Sequence, residues 1–396
     1  METKTIKDLA ILGGQKAIGA KGEHYQWPVI SRETENAVLK QLRRTISIYD
    51  KSGVIDEVEN RIAKYYGVKY ALLTNSGTTA IYSMYASAGL KAGDEVIVPA
   101  YNFFASAVPM FLVGAVPVLC ESDPKTGNID IKSAEQKITS RTKAIEVTHM
   151  WGMPADAEAL AKLAKERKLL LFEDFSHAHG AEISDKKVGT FGDVSAASLQ
   201  AQKILNGGEG GVLLTNNEEI YYKAILLGHY NKRALQEIPE SHPLRKYAMS
   251  GTGLKLRIHP LAAAIVNQQF DHLDDWLRQK RQFASYLGKR LGSIPGIEVP
   301  KFDARKSPSW YAYLFHYNGE ELGNLPISRF YEALKAEGGK EFDRPNSTCP
   351  LNYLPLFQDP TAVYPDYKIS YKKGDFPAAE SFHETSIKMP VWALRK

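Results

Sequence analysis

The stretch KYALLTNSGTTAIYSMYASAGLKAGDEVIVP, residues 69–99, decides the fold class because it places one helix between two short apolar strands. KYALLTN and EVIVP are brief apolar runs of the kind that buried strands show. The intervening SGTTAIYSMYASAGL predicts a helix, for which Ser76 is the candidate N-cap residue. Strand, helix and strand in this order form the repeating unit of α/β proteins with parallel sheets.

The same alternation is found on both sides of this stretch. VIDEVENRIAKYY places Val54, Val58, Ile62 and Tyr65 on one face of a helix. We therefore predict an α/β fold with a mostly parallel central sheet and helices on both of its faces. The further predicted elements are the strands VPVLC (116–120), KAIEVTHM (143–150), LLLFED (169–174) and VSAAS (194–198), and the helix PADAEALAKLAKERK (154–168), with Pro154 at its start.

A chain of 396 residues is longer than a single hydrophobic core usually covers, so we predict two domains. Residues 1–258 form the large domain in this prediction. Residues 259–396 form a bridging helix and a smaller C-terminal α+β domain. The bridge is expected because HPLAAAIVNQQFDHLDDWLRQKRQFASYLGKRL (259–291) keeps helical spacing over a length that is unusual for a globular helix.

Composition narrows the class of protein. The 50 Lys and Arg residues against 45 Asp and Glu leave a net charge of +5 without a basic block, which favours anionic small molecules over nucleic acid as partners. Two cysteines, Cys120 and Cys349, are too few for a disulfide framework, and METKTIKDLA has no signal-peptide pattern, so we expect a cytoplasmic protein. The apolar run 103–120 is interrupted by prolines and a glycine, which argues against a membrane span.

Four segments that follow predicted strands carry the candidate chemistry, because ligands of parallel α/β sheets bind beyond the carboxyl ends of the strands. SGTTA offers free backbone amides for a phosphate, and AYNFF offers aromatic faces. Asp174 follows LLLFE, and Lys203 lies in SLQAQKILNGGEGG (198–211). Pyridoxal 5'-phosphate needs these four things: phosphate donors, a flat neighbour, an anion for the pyridine nitrogen and an amine for the aldehyde. Desolvation and nearby positive charge can deprotonate such a lysine near neutral pH.

Each feature taken alone has a simpler reading. A lone Lys203 is usually a surface lysine, Asp174 could cap a helix, and Phe103 could be a core residue. His177 and His179 form an HxH pair, but no third ligand has suitable spacing, so we predict no metal site. NGGEGG lacks the GxGxxG spacing of a dinucleotide-binding loop and precedes a strand. The ordered combination is what favours a pyridoxal-phosphate site.

The motifs SGTTA, PAYNFFAS, EDFSHAHGA, VGTFGD, SLQAQK and GGEGG, in that order, resemble the DegT/DnrJ/EryC1/StrS family of sugar aminotransferases, which are pyridoxal-phosphate enzymes of fold type I. The resemblance runs from LAILGG to the helix after His259 and continues more weakly into RPNSTCPLNYLPLF. It implies a ping-pong transfer of an amino group from glutamate or glutamine to a keto-sugar or ketocyclitol, in amino sugar or aminocyclitol biosynthesis. GLKLRIHPLAAA is similar to the branch that acts on ketocyclitols such as scyllo-inosose.

The resemblance also implies roles for individual residues. Lys203 would form the internal aldimine and then move the proton between cofactor and substrate carbons. Asp174 would pair with the pyridine nitrogen, and His177 would contact the ring hydroxyl side. The remaining cofactor contacts implied are Phe103 on the ring and Gly77, Thr78, Thr79 and Ser198 at the phosphate.

Family members complete each active site with a segment of the partner subunit, so the resemblance implies a homodimer. The matching segment here is GLKLR (253–257), in which Lys255 stands where many members have asparagine. We expect Lys255 to reach the phosphate or an anionic substrate. The sequence ends at PVWALRK, before the closing helix of many relatives.

Two other functions remain open at this stage. A dehydratase on the same scaffold is disfavoured by Lys203, because the resemblance implies histidine at that position in dehydratases. A pyridoxal-phosphate-binding regulatory protein without turnover would bring a DNA-binding module, and none is recognisable before residue 54. The sequence does not specify the keto acceptor or choose between glutamate and glutamine.

Overall fold

The computed structural model of the protein describes residues 8–19 and 25–393. The predictions made on METKTIKDLA and PVWALRK therefore fall partly outside the described residues. The described α-helices are α1 (Arg32–Arg44), α2 (Gly53–Tyr66), α3 (Gly77–Ser87), α4 (Val108–Leu112), α5 (Ile131–Gln136), α6 (Ala157–Arg167), α7 (Glu218–Gly228), α8 (Asn231–Glu237), α9 (Pro260–Phe270), α10 (Leu273–Leu291), α11 (Ile327–Ala336), α12 (Pro355–Gln358) and α13 (Pro377–Thr385).

The strands form one large sheet and several small ones. The described strands are β1 (Tyr70–Thr74), β2 (Glu95–Pro99), β3 (Tyr101–Phe103), β4 (Val116–Cys120), β5 (Thr142–Thr148), β6 (Leu170–Asp174), β7 (Glu182–Ile183), β8 (Lys186–Lys187), β9 (Val194–Ser198), β10 (Gly211–Thr215), β11 (Ile297–Glu298), β12 (Lys306–Ser307), β13 (Ala312–Tyr317), β14 (Thr348–Pro350) and β15 (Ser386–Pro390).

The large sheet has the strand order β1-β10-β9-β6-β5-β2-β4. β9, β6, β5, β2 and β4 run parallel to one another, whereas β10 runs antiparallel to both β1 and β9. The prediction of a mostly parallel central sheet is confirmed. The strands predicted within residues 69–99, β1 and β2, lie at separate positions in the sheet, with β10, β9, β6 and β5 between them.

Helices cover both faces of this sheet, as predicted. Successive residues of a strand point to opposite faces, so Leu72 packs in an apolar cluster with residues of α3 and α7, while Leu73 packs in a second cluster with residues of α2 and α9. Every residue of EVIVP, which forms β2, is buried. Burial on both faces explains why these strands are continuous apolar runs without alternation.

The expectation of one continuous bridging helix from His259 is wrong, because the chain forms two helices, α9 and α10. Arg61 of α2 donates to the carbonyl oxygen of Asn267 at 2.9 Å and to Asp271 Oδ1 at 2.6 Å. In a continuous helix that carbonyl would accept from the Asp271 amide. The Asp271 amide bonds instead to the Gln268 carbonyl oxygen. A contact from a distant helix thus marks the break.

The helix predicted from Pro154 begins later than expected. α6 starts at Ala157, and Pro154 lies before it. Asp156 is the N-cap residue, and its side chain accepts a hydrogen bond from the Ala159 amide at 3.3 Å. An aspartate cap satisfies an amide of the first turn, which a proline cannot do.

The C-terminal part contains the antiparallel sheet β11-β13-β15. Apolar residues of α10 and α11, including Leu287 and Phe330, pack in one cluster with Phe315 of β13. β14 pairs with β3 of the large part, and Thr348 lies opposite Phe103. This pairing brings C-terminal residues to the carboxyl ends of the central strands. The domain boundary between residues 258 and 259 stays a prediction.

Candidate active site

One cavity of about 310 Å³ lies beyond the carboxyl ends of the parallel strands. Its volume falls at the lower end of the range of about 300–1,000 Å³ that is usual for small-molecule sites. Seven of the predicted site residues line it: Gly77, Thr78, Phe103, Asp174, His177, Ser198 and Lys203.

The N-terminus of α3 forms the part of the cavity suited to a phosphate. Ser76 caps this helix and accepts from the Thr79 amide at 3.1 Å, while no acceptor for the Gly77 and Thr78 amides is found among the described residues. A Cβ at Gly77 would lie 2.4 Å from the Ser198 Cβ, so glycine allows α3 to approach the end of β9 closely. Free amides of a helix N-terminus beside a serine hydroxyl form a site for an anion.

Thr79 is not brought into the cavity. Its hydroxyl donates to Asn75 Oδ1 at 2.7 Å and accepts from the Ser76 amide at 3.1 Å. The contact with the Ser76 amide belongs to the capping box of α3. In the described structure Thr79 therefore supports the helix that carries Gly77 and Thr78.

Lys203 follows β9 in a loop that is fixed at several points. The Lys203 amide donates to the Gln200 carbonyl oxygen at 2.8 Å, and the Lys203 carbonyl oxygen accepts from the Trp27 indole at 2.9 Å. Behind the loop, a Cβ at Gly207 would lie 2.7 Å from a side-chain carbon of Val266 in α9. The glycines after Lys203 thus allow the loop to pack closely against α9.

The Lys203 side chain is half-buried, and its amine faces the cavity. The pKa of Lys203 is lowered to about 8. Burial is the main cause, the Asp174 carboxylate acts in the opposite direction, and the positive charge of Lys388 adds to the lowering. The amine lies 4.6 Å from the centre of the Tyr311 ring. A much larger fraction of Lys203 than of an ordinary lysine is therefore unprotonated and nucleophilic near neutral pH.

Asp174 ends β6 and is 3% exposed. Its Oδ2 accepts from the Ser106 hydroxyl at 2.7 Å, and its Oδ1 accepts from the Ser176 amide at 2.9 Å. An ionised carboxylate has about four lone-pair sites. Asp174 can therefore accept a further hydrogen bond from a group bound in the cavity. Asp174 and Lys203 line the same cavity and influence each other electrostatically.

His177 is held in a stack of aromatic rings. The Tyr311 ring lies 4.3 Å from it at an interplanar angle of 8°, and Trp151 lies 5.3 Å from it at 22°. The Trp151 amide donates to His177 Nδ1 at 3.4 Å, which leaves the proton of the neutral ring on Nε2. Burial and the charge of Lys203 lower the pKa of His177 well below its ordinary value. His177 is thus a neutral hydrogen-bond donor.

His179 has a different role from His177. Its Nε2 lies 2.8 Å from the Ser198 carbonyl oxygen, to which it donates, and its ring is buried. Burial lowers the pKa of His179 to about 4, so the ring is neutral. Within residues 8–19 and 25–393, no group of three or more His, Cys, Asp or Glu side chains is arranged to hold a metal ion.

Phe103 is half-buried at the end of β3 and lines the cavity, in position to contact a flat ring. Lys255, by contrast, lies outside the cavity of its own chain. Its Nζ is 3.5 Å from the His229 carbonyl oxygen and 5.6 Å from the centre of the Tyr230 ring. Seven of the nine predicted residues therefore come together, while Thr79 and Lys255 do not.

The sequence analysis did not identify several residues that line the cavity from later parts of the chain. Tyr311 stacks on His177, and Lys388 of β15 lies 5.5 Å from the Trp151 ring centre. Lys388 Nζ also pairs with Asp343 Oδ2 at 2.9 Å. No local motif marks these residues, because they reach the cavity only through the folding of the C-terminal part.

The residues present fit pyridoxal phosphate at each of its four requirements. The free amides of Gly77 and Thr78 and the Ser198 hydroxyl, here called the phosphate cradle, suit its phosphate. Phe103 offers a face for its ring. Asp174 is a buried carboxylate for its pyridine nitrogen, and Lys203 is a half-buried amine of lowered pKa. The fold and this site together define a pyridoxal-phosphate-dependent aminotransferase of fold type I.

Residues 29–395 match the model of the DegT/DnrJ/EryC1/StrS aminotransferase family, and the chain belongs to that family. It is 31% identical over 343 residues to GDP-perosamine synthase of Escherichia coli O157:H7, covering 87% of this chain and 86% of that protein. It is 30% identical over 395 residues to L-glutamine:scyllo-inosose aminotransferase of Streptomyces griseus, covering 96% of this chain and 91% of that protein.

The fold is also found among solved structures. One of them is E. coli GDP-4-keto-6-deoxy-D-mannose-3-dehydratase with bound hydrated PLP, which matches with a TM-score of 0.80 at 22% identity, over 94% of this chain and 97% of that one. The family and its cofactor predicted from the sequence are confirmed. Among the described residues, no helix is both long and apolar enough to cross a membrane.

Proposed function

We propose that the protein transfers the amino group of glutamate or glutamine to a keto-sugar or ketocyclitol by a ping-pong mechanism. The observation that carries the proposal is that the Lys203 amine, the Asp174 carboxylate and the free amides of α3 line the same cavity. The similarity to L-glutamine:scyllo-inosose aminotransferase and to GDP-perosamine synthase supports this class of substrates.

Pyridoxal phosphate, when bound, supplies an aldehyde that condenses with amines and a protonated ring that accepts electrons. Asp174 would hold the proton at the pyridine nitrogen, since its carboxylate is buried and has free lone pairs. His177 would donate from Nε2 to the ring hydroxyl. The amides of Gly77 and Thr78, with the Ser198 hydroxyl, would hold the phosphate.

Lys203 carries the proton transfers in this proposal. Its Nζ would take a proton from the donor carbon that bears the amino group, and in the second half-reaction it would deliver a proton to the former ketone carbon of the acceptor. A pKa of about 8 suits both directions, because the amine gives and accepts protons near neutral pH. Phe103, Trp151 and Tyr311 line this region with aromatic surface.

The donor and the acceptor must occupy the same cavity one after the other. Lys203 and Asp174 lie in this cavity, so both substrates have to reach Lys203 Nζ. A cavity of about 310 Å³ is small for a cofactor and two substrates at once. Sequential occupancy of one site gives ping-pong kinetics, with the amino group retained by the enzyme between the two half-reactions.

Lys388 is the proposed contact for the donor carboxylate. Among the described residues of the cavity lining, Lys203 and Lys388 are the cationic side chains, and Lys203 is occupied with the cofactor. The pair between Lys388 and Asp343 has a side-chain exposure of 28% and 48%, so its energy is small and an incoming carboxylate can compete for the ammonium.

The acceptor in this proposal is an uncharged polyhydroxy ketone. Gln200, Gln202, Asn346 and Ser347 line the cavity with groups that both donate and accept hydrogen bonds, as sugar and cyclitol hydroxyls require. A nucleoside diphosphate would bring at least two negative charges. Within the described cavity lining of one chain, Lys388 is the cation left to pair with them, and it already pairs with Asp343.

We also propose a homodimer with shared active sites. Leu39 and Leu42 of α1 and the nearby Ile46 are exposed apolar residues, and such a surface is suited to a subunit interface. Lys255 lies away from its own cavity, which supports a contribution to the partner's site. Mixing Lys203→Ala and Lys255→Glu subunits should restore one native site in each mixed dimer. No gain in activity over the separate variants would contradict this arrangement.

The experiment that tests the function measures the two half-reactions separately. Purified holoenzyme is mixed with glutamate or glutamine without an acceptor, and the keto acid and the visible absorbance of the cofactor are followed. We expect one equivalent of keto acid per active site and loss of the visible band. A ketocyclitol, a free keto-sugar and a nucleotide-linked keto-sugar are then added in turn, and the first two should restore the band fastest.

The control is the Lys203→Ala holoenzyme, which should form no keto acid over the same time. Keto acid that forms only when the acceptor is also present would contradict the ping-pong mechanism. Faster reaction with the nucleotide-linked sugar than with either uncharged ketone would contradict the proposed acceptor class.

A further inference from the structure

A row of three hydrogen bonds leads from Asp174 into the core of the large part. The Ser106 hydroxyl donates to Asp174 Oδ2 at 2.7 Å. The Thr148 hydroxyl lies 3.3 Å from the Ser106 hydroxyl and 2.8 Å from Glu146 Oε1. Glu146 and Thr148 lie two residues apart on β5, so they share one face of the strand. Glu146 is fully buried and ends the row.

If all three contacts are hydrogen bonds, counting protons along this row assigns the direction of each one. Ser106 has one hydroxyl proton and gives it to Asp174, so the contact with Thr148 requires Thr148 to donate to Ser106. Thr148 then has no proton left for Glu146. The 2.8 Å contact between Thr148 and Glu146 is a hydrogen bond only if the Glu146 carboxyl carries the proton and donates it.

The surroundings of Glu146 also favour the neutral acid. The salt bridges found within residues 8–19 and 25–393 include no cationic partner for Glu146, and its Oε2 has no hydrogen-bond partner there. An unpaired carbonyl oxygen costs far less when buried than an unpaired carboxylate. Burial and the neighbouring Asp174 carboxylate raise the pKa of Glu146 well above its ordinary value, against the Thr148 hydroxyl and the Asn102 side-chain amide, which act in the opposite direction. The other titratable groups affected by Glu146 are Tyr85 and Cys120, which are neutral.

We propose that Glu146 is a positioning residue that stays protonated and, through Thr148 and Ser106, donates a directed chain of hydrogen bonds to Asp174. These hydrogen bonds fix the orientation of the Asp174 carboxylate and lower its basicity toward the pyridine nitrogen. This second effect rests on the role of Asp174 in the proposed function. Hydrogen bonds in such a row polarise one another, so the far end influences Asp174.

The protonation state is tested directly by infrared spectroscopy of the apoprotein. The difference spectrum between the native protein and Glu146→Gln at pH 8 should contain the carbonyl band of a buried carboxylic acid. Glutamine is the conservative variant, because its amide can donate to Thr148 in place of the acid. Absence of this band, with carboxylate bands in its place, overturns the proposal. The apoprotein measurement is independent of turnover, so it decides on Glu146 even if the proposed substrates are wrong.

The influence on Asp174 is tested by titrating the visible band of the holoenzyme with pH. In Glu146→Gln the pKa of this band should stay within about 0.3 units of the native value, since no charge is removed. If Glu146 were ionised, its loss would shift that pKa downward by on the order of one unit, which would overturn the proposal.

Two further variants break the row without adding charge. Glu146→Leu removes the first donor, and Thr148→Val removes the hydroxyl in the middle. Both should raise the pKa of the visible band and slow both half-reactions by about fivefold, the effect of one lost hydrogen bond. Glu146→Gln should slow them less.

The matched control is Val147→Ala, whose side chain lies on the opposite face of β5 among apolar residues. It should lower the melting temperature without moving the pKa of the band. The proposal is overturned if Val147→Ala shifts the band as Thr148→Val does, or if Thr148→Val does not shift it.

Discussion

Replacing Gly77 with alanine tests the phosphate cradle through a single methyl group. The added Cβ would lie 2.4 Å from the Ser198 Cβ and 2.7 Å from the Ser198 Cα. Carbon atoms in contact are normally about 3.5–4.0 Å apart, so the N-terminus of α3 must move away from β9 by about 1 Å. The amides of Gly77 and Thr78 lie on one side of this contact and the Ser198 hydroxyl on the other, so the variant separates the groups proposed to hold the phosphate.

The expected loss follows from the cost of overpacking. Inserting a methyl group into a filled space costs about 1–3 kcal/mol, and a hydrogen bond to a charged group contributes about 1.5–3 kcal/mol. Because 1.4 kcal/mol corresponds to a factor of ten, we expect the Kd of pyridoxal phosphate to rise about 10- to 100-fold. The position of Lys203 and Asp174 on other elements leaves the amine and the carboxylate in place.

The assay is an equilibrium titration of the apoprotein, followed by the visible absorbance of the bound cofactor. The same titration with pyridoxal, which lacks the phosphate, separates the cradle from the rest of the site. Gly77→Ala should weaken pyridoxal phosphate strongly and pyridoxal only slightly. The control is Gly288→Ala in α10, where the nearest atom to the new Cβ is Tyr313 Oη at 3.4 Å. Equal losses for both ligands, or no loss for either, would refute the reasoning.

The remaining predictions concern the charged groups of the cavity. Because burial and Lys388 lower the pKa of Lys203 to about 8, the rate at which apoprotein captures pyridoxal phosphate should rise with pH in stopped-flow absorbance, reach half its maximum near pH 8 and level off at higher pH; a rate still rising at pH 10 would contradict this. Asp174→Asn should slow both half-reactions on the order of 100-fold in single-turnover kinetics, and native rates would remove its proposed role. Lys388→Met should raise the KM of the amino donor about tenfold and that of an uncharged ketone little, so equal increases would argue against the carboxylate contact.

Much of the structure around the large sheet can be predicted from the sequence, because its buried strands are short apolar runs separated by helices. EVIVP and VSAAS form β2 and β9 with the bounds expected of them. Once the strands of a parallel sheet are located, the residues after them are known to share one edge. That rule alone brings Asp174 and Lys203 into one cavity.

Other features depend on contacts between distant parts of the chain. The break between α9 and α10 is contacted by Arg61, which lies about two hundred residues earlier and gives no signal in the helical pattern. Tyr311 and Lys388 reach the cavity through the C-terminal sheet, so no strand-end rule points to them. Thr79 shows a further limit, since SGTT predicts both a helix cap and a phosphate site, and only the geometry assigns its hydroxyl to the cap.

Reduction of the native holoenzyme with borohydride, followed by peptide mass analysis, tests the central claim most directly. Borohydride fixes the cofactor to the amine that carries it, so the modified residue identifies the reactive lysine. We predict one cofactor per chain, attached to Lys203, and none after prior incubation with the amino donor. A cofactor attached to another lysine, or no attachment at all, would contradict the assignment of this cavity as the active site.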